Sequence, residues 1–453
     1  MNIRIGQKFR NLEIRSLLGE GSMGVVYLAS HPILQSSFVI KIGKGTPIED
    51  PFVEARLGSR MNSPFVVDVV DAGIENNTPF IIHRYVDGVD FKELLSFAQK
   101  TKHDGLSIGV VSQLMSDIAQ GLHSIHQAGV IHRDIKPANL FLQGDGTSLL
   151  GDFGIATVQK QSSIIGGTPQ YMAPEVWKKG LSTVQSDLYA LGATAHELAT
   201  GTPVYQTTGV ENLAHAHCTQ RYTPPQTSQS KSHEFFSLLS HMLRKDPNDR
   251  PRNASFVAQR FQQLAAPKPE IRTLKRTGQD WDFGELGSLR VAIGRRDLSQ
   301  CDSYADILVN AANTDLHMRQ GVASAISKAA GSTVAIEAAQ YAPVTMGDVV
   351  WTSAGSLQST AIAHAVAAHS GAICIQRATL RSLLQAEERE GRIIAFPALG
   401  AGVGQVPMAV SCQLMLSSFR TFAWLQPQKI QEIALCLYNQ SSFRQARKSI
   451  LGL

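Results

Sequence analysis

The sequence predicts a two-domain chain: an α+β unit in two lobes, then an α/β unit. Three observations carry this. β-like runs surround a glycine-rich turn at the start, helical spacing takes over from Ser107, and strands alternate with helices after about residue 288. The 453 residues also exceed what one hydrophobic core usually serves. The expected units are 9–264 and 288–453, with 265–287 as a linker.

Each element follows from its residues. Phe9–Leu18 and Val25–Ala29 flank the turn, and Phe38–Ile42 is a third apolar run. Val110, Leu114, Ile118 and Leu122 recur at helical spacing, and helix-dominated sequence continues to about Leu264. Ala265–Gly287 opens Ala-Ala-Pro-Lys-Pro-Glu and continues polar, basic and glycine-containing, which suits a linker. Beyond it, strand-like Leu289–Ile293, Asp306–Val309, Asp348–Trp351, Ala361–Val366 and Arg392–Phe396 alternate with helix-like Gly321–Ala330 and Gln376–Glu390.

Composition narrows the class. With 43% hydrophobic and 17% charged residues, disordered and fibrous classes are excluded. A net charge of +5 without a dense basic block gives no support for a nucleic-acid or membrane partner. Cys218, Cys301, Cys374, Cys412 and Cys436 lack CxxC spacing, so reduced thiols are expected rather than zinc or a disulfide framework. No apolar run reaches 18 residues and the start does not read as a signal peptide, so a soluble cytoplasmic protein is expected.

Gly19-Glu-Gly21-Ser-Met-Gly24-Val-Val26 lies between two strand-like runs, where glycines let backbone N–H groups approach phosphates. Lys41 ends the next run. His132-Arg133-Asp134-Ile-Lys136-Pro-Ala-Asn139, Asp152-Phe-Gly and Ala173-Pro-Glu175 follow in that order. This series resembles the protein kinase family over about Phe9–Leu264. The resemblance implies a bilobal fold, ATP and Mg²⁺ as cofactors, and a protein substrate. Leu18, Gly19, Gly21, Gly24 and Val26 would then cover the nucleotide, with the main chain of Arg84 and Val86 at adenine. Lys41, braced by Glu54, would hold the α- and β-phosphates. Asn139 and Asp152 would bind metal, and Asp134 would orient the acceptor hydroxyl. Lys136 and Thr168 match serine/threonine kinases, while Asp187 and the Arg250–Glu175 pair match scaffold positions. His83-Arg84 departs from the usual hinge entry, so a polar back pocket is expected. Arg133 suggests control by phosphorylation at Thr157, Ser162 or Ser163, against a loop already ordered by packing.

In the second unit Val309-Asn310-Ala-Ala-Asn313 ends a strand, and Phe396-Pro-Ala-Leu-Gly400-Ala401-Gly402-Val403-Gly404 runs from a strand into a glycine loop. Such loops facing helix N-termini suit anions. Together they resemble the macro domain, a three-layer α/β/α fold that takes ADP-ribose. By that resemblance Asp297, with Leu298 beside it, meets adenine and Asn313 the distal ribose. Gly321-Val322 and Gly400–Gly404 hold the diphosphate. Ala323 stands where hydrolytic members carry Asp, so binding of ADP-ribose or an ADP-ribosylated protein without hydrolysis is expected. The macro domain is expected to target or regulate the kinase.

Overall fold

The computed structural model describes residues 3–20, 24–34, 36–43, 63–101, 105–151, 168–276, 281–367, 374–389 and 391–451. Its first lobe is an antiparallel sheet of β1 (Lys8–Phe9), β2 (Leu12–Glu20), β3 (Gly24–Ser30), β4 (Ser37–Gly43), β5 (Val69–Glu75) and β6 (Thr78–Arg84), ordered β1-β2-β3-β4-β6-β5. Alternation along the strands builds its core: Ile14, Tyr27, Ala29, Ile40, Ile42, Phe80 and Ile82 pack on one face. Lys41, between Ile40 and Ile42, therefore falls on the other face.

The second lobe is mostly helical. A small sheet of β7 (Gly88–Asp90), β8 (Leu140–Gln143) and β9 (Ser148–Leu150) lies among α1 (Phe91–Thr101), α2 (Ile108–Gln127), α3 (Pro174–Lys179), α4 (Val184–Thr200), α5 (Val210–Thr219), α6 (Ser230–Met242) and α7 (Ala254–Leu264). Helix α2 buries Val110, Val111, Leu114, Met115, Ile118, Leu122 and Ile125 along one stripe, as the sequence period predicts. The ends of α4 are specified locally. Thr183 and Ser186 form a reciprocal capping box, and Gly201 closes the helix in the left-handed conformation.

The remaining chain forms one sheet of β10 (Ile271–Arg276), β11 (Trp281–Leu286), β12 (Leu289–Gly294), β13 (Ile307–Ala312), β14 (Val349–Thr352), β15 (Ala361–Val366), β16 (Ile393–Phe396) and β17 (Glu432–Cys436). Their order is β10-β11-β12-β17-β16-β13-β15-β14. The helices are α8 (Gly321–Ala330), α9 (Ser332–Ala339), α10 (Ile375–Glu387), α11 (Met408–Trp424) and α12 (Gln440–Leu451). Ile293, Val309, Ala363, Phe396 and Leu435 face the core containing α10, α11 and α12. Their neighbours Ala292, Leu308, Ile362, Ala395 and Ala434 face α8 and α9. A period of two with both faces covered makes three layers.

The linker expectation is corrected in part. Within it, Ile271–Arg276 and Trp281–Leu286 pair antiparallel as β10 and β11 and extend this sheet beside β12. Trp281 stacks on Tyr304 at 4.9 Å, and Arg290 lies 4.8 Å over the Phe283 ring. The polar residues around these strands hid their alternation.

The two halves also share a core. Phe97 of α1 meets Phe422 of α11 edge-on at 6.5 Å, and the Trp424 indole donates to the Ala266 carbonyl at 3.1 Å. Among the described residues no helix is long and apolar enough to cross a membrane.

Candidate active site and ligand loops

Asp134, Lys136, Asn139 and Thr168 form one hydrogen-bonded cluster. Lys136 Nζ lies 2.7 Å from Asp134 Oδ2 and donates to Thr168 Oγ1 at 2.9 Å. Thr168 Oγ1 donates to Asp134 Oδ1 at 3.0 Å, so a hydroxyl already sits on the carboxylate. Asn139 Nδ2 donates to the Asp134 carbonyl at 2.8 Å and to Oδ2 at 3.0 Å. With Nδ2 so engaged, the Asn139 carbonyl oxygen is left as an oxygen donor for a hard cation.

The loop carrying this cluster is held from below. Arg133 has φ +72°, a conformation costly for a residue with a side chain. Buried Asp187, from the first turn of α4, accepts the N–H groups of His132 at 2.8 Å and Arg133 at 2.9 Å. The same carboxylate meets His126 Nε2 at 2.8 Å. His126 escapes sequence reasoning, because only the fold brings the end of α2 under the loop. His132 accepts from Asp134 N through Nδ1, so its Nε2 carries the proton bonded to the Gly151 carbonyl at 3.0 Å. Gly151 directly follows β9, and this bond therefore ties the loop to the end of the small sheet.

Buried Arg250 and half-buried Glu175 form a two-pronged pair at 2.7 and 2.8 Å, with Ser186 Oγ donating to Glu175 at 2.7 Å. Burial acts to raise the Glu175 pKa, but bonding and charge from Arg250 outweigh it and hold the carboxyl below its ordinary value.

In the first lobe Lys41 pairs in register with Val26 on β3 and Ile81 on β6. A Cβ on Gly24 would lie 2.1 Å from the Ile42 carbonyl oxygen, so glycine is what lets β3 close on β4 beside Lys41. Space above Gly19 is open, and Leu18 is exposed. At the hinge entry His83 is buried, while Arg84 reaches outward to Asp68 at 3.1 Å. Gly21, Glu54, Asp152, Thr157, Ser162 and Ser163 lie outside the described residues.

Strands β12, β17, β16 and β13 run mutually parallel. The segments leaving their C-terminal ends therefore emerge on one side of the sheet, where ligands bind in open α/β folds. These segments hold Asp297 after β12, Asn313 and Gly321 after β13, and the 400–404 loop after β16. Asp297 Oδ1 accepts from Ser299 N and Oγ, and Leu298 is buried beneath. Asn313 Oδ1 accepts from His317 N at 3.0 Å. Gly321, at φ +54°, opens α8 with no atom near the position of a Cβ, and Val322 follows it. Gly400, at φ +74°, accepts from Val406 N at 3.0 Å and so closes the Ala401–Gly404 turn, from which Val403 projects. Ala323 is buried in α8. All five cysteines are free thiols, with Cys301 and Cys436 in contact at 3.3 Å.

The protein kinase domain family matches residues 12–262, more than half of the chain, and the chain belongs to that family. The macro domain family matches residues 309–415. Among individual relatives, serine/threonine-protein kinase PknH of Mycobacterium bovis is 31% identical over 268 residues, covering 56% of this chain and 44% of the relative. Serine/threonine-protein kinase pkn3 of Myxococcus xanthus is 32% identical over 274 residues, covering 55% and 48%. PknE of Mycobacterium tuberculosis is 31% identical over 259 residues, covering 54% and 45%. The chain thus spans less than half the length of these curated relatives.

Proposed function

We propose that the protein is a serine/threonine kinase that transfers the γ-phosphoryl group of ATP to a protein hydroxyl. The observation that carries this is the Thr168 hydroxyl bonded to both Asp134 and Lys136. An incoming serine or threonine hydroxyl needs the same two partners. Asp134 orients its oxygen for in-line attack, and Lys136 offsets charge on the transferring group. Lys41, with Glu54 as its brace, positions the α- and β-phosphates beneath Leu18, Gly19, Gly21, Gly24 and Val26. The main chain of Arg84 and Val86 takes adenine. Asn139 and Asp152 are the residues that would hold Mg²⁺, which when bound neutralises phosphate charge. Phosphorylation at Thr157, Ser162 or Ser163, sensed by Arg133, belongs to the same reading, as does action in the cytoplasm.

The macro domain binds ADP-ribose, free or on a modified protein, through Asp297, Leu298, Asn313, Gly321, Val322 and the Gly400–Gly404 loop. Convergence of these segments at one end of four parallel strands supports this. Ala323 supplies no carboxylate, so the bound ligand leaves intact. Transfer of labelled phosphate from ATP to a generic protein substrate tests the kinase: Asp134→Asn abolishes it, and transfer that persists overturns the reading. Calorimetric titration of the full chain with ADP-ribose tests the second part, and absence of heat at millimolar ligand overturns it.

A further inference from the structure

Helix α10 of the macro domain begins on the kinase hinge. Its own N-cap residue, Cys374, offers no side-chain hydrogen bond to the first turn. Asp87, in the segment joining β6 to β7, supplies one instead. It accepts from Arg377 N at 2.8 Å and Gln376 N at 3.2 Å, and also from the Cys374 backbone. A carboxylate there satisfies orphan donors and meets the positive end of the helix dipole. One domain therefore caps a helix of the other.

The grip extends to both lobes. Arg377 donates to the Gly88 carbonyl at 2.5 Å, and Arg381 meets Glu93 of α1 at 2.5 Å. Leu28 of β3, Tyr85 of the hinge, and Met346 and Cys374 of the macro domain form one apolar cluster. Thr421 of α11 donates to the Gly144 carbonyl in the β8–β9 turn at 2.8 Å. A Cβ on Gly144 would sit 2.4 Å from the Gln376 Cβ, so this kinase turn is shaped to admit α10.

The glycine loop leans on the same helix turn. A Cβ on Gly400 would lie 3.0 Å from Ile375 Cδ1, and Ile375 is the first residue of α10. Ser418, on the helix following that loop, donates to the Gln376 carbonyl at 3.2 Å.

We propose that the macro domain braces the kinase hinge through the first turn of α10, and that a diphosphate seated on the Gly400–Gly404 loop adjusts the brace through Ile375. The second half of this proposal rests on the ADP-ribose reading above. Lobe closure during turnover pivots at the hinge, so a change in the brace reads out as a change in the KM for ATP.

The test uses the full chain and the variants Arg377→Met and Arg381→Met, each checked for native near-ultraviolet circular dichroism. Calorimetry measures ADP-ribose binding, and kinase assays measure KM for ATP and kcat with and without saturating ADP-ribose. Coupling of ordinary strength predicts that ADP-ribose shifts the wild-type KM by about fivefold or more. Without ligand the variants shift KM comparably; with it they bind ADP-ribose but lose the response. Binding without a kinase response in the wild type overturns the coupling. Unchanged ligand-free KM in both folded variants overturns the brace. Absence of binding overturns the ADP-ribose reading and the coupling with it, leaving the brace to be judged on the ligand-free comparison.

Discussion

The Asp187 carboxylate accepts the main-chain N–H of Arg133 at 2.9 Å, and Arg133 is held at φ +72°. Strained backbone persists only when its surroundings over-determine it. Asp187→Ala strands two N–H groups and removes the partner of His126. The expected loss is about 3 kcal/mol of unfolding free energy, with kcat falling more than KM rises. Denaturant titration and steady-state kinetics of the same preparation check both.

Breaking the Glu175–Arg250 pair from one side leaves a largely enclosed charge alone. Arg250→Leu is expected to destabilise the chain by about 3–5 kcal/mol, and adding Glu175→Leu is expected to recover much of the loss. A double-mutant cycle by denaturant unfolding measures the recovery. Additive losses would show that the pair is not the dominant interaction.

Thr168 links Asp134 to Lys136 through its hydroxyl. Losing one hydrogen bond of about 1.4 kcal/mol in the transition state corresponds to roughly tenfold in rate. Thr168→Ala is therefore expected to lower kcat by that order, while Thr168→Ser restores it. Equal loss in both variants would place the effect in the methyl group rather than the hydroxyl.

How much of this was legible beforehand differs between the halves. In the kinase half the motif residues are contiguous in sequence, so Asp134, Lys136 and Asn139 were found together and the structure brings them together. His126 and Asp87 were not found, because their partners lie 61 and 290 residues away and no local pattern marks such pairs. The β10–β11 strands were hidden for a different reason. Their aromatic residues pack against Tyr304 and Arg290, while flanking prolines and charges imitate a linker.

Burial holds the imidazoles of His196, His217 and His364 down to about 4, with Lys245 adding to the effect at His217. Each stays neutral in the folded chain while its unfolded counterpart takes up a proton near 6.5. Their contribution to stability is present above pH 6.5 and is lost as pH falls toward 4, by at most about 3 kcal/mol each. The thermal midpoint is expected to drop across that window. Imidazole NMR resonances of these three should stay fixed from pH 8 to 5. Movement of any of them near 6.5 would contradict the assignment.

The contact of Phe97 with Phe422, and of Trp424 with the Ala266 carbonyl, bears on how the protein can be inherited and produced. A gene cut after residue 264 would leave α1 with an aromatic side chain turned to water and no replacement for it. A product ending there would be prone to self-association even with every phosphotransfer residue intact. The full chain is therefore the form in which folding and activity should be measured.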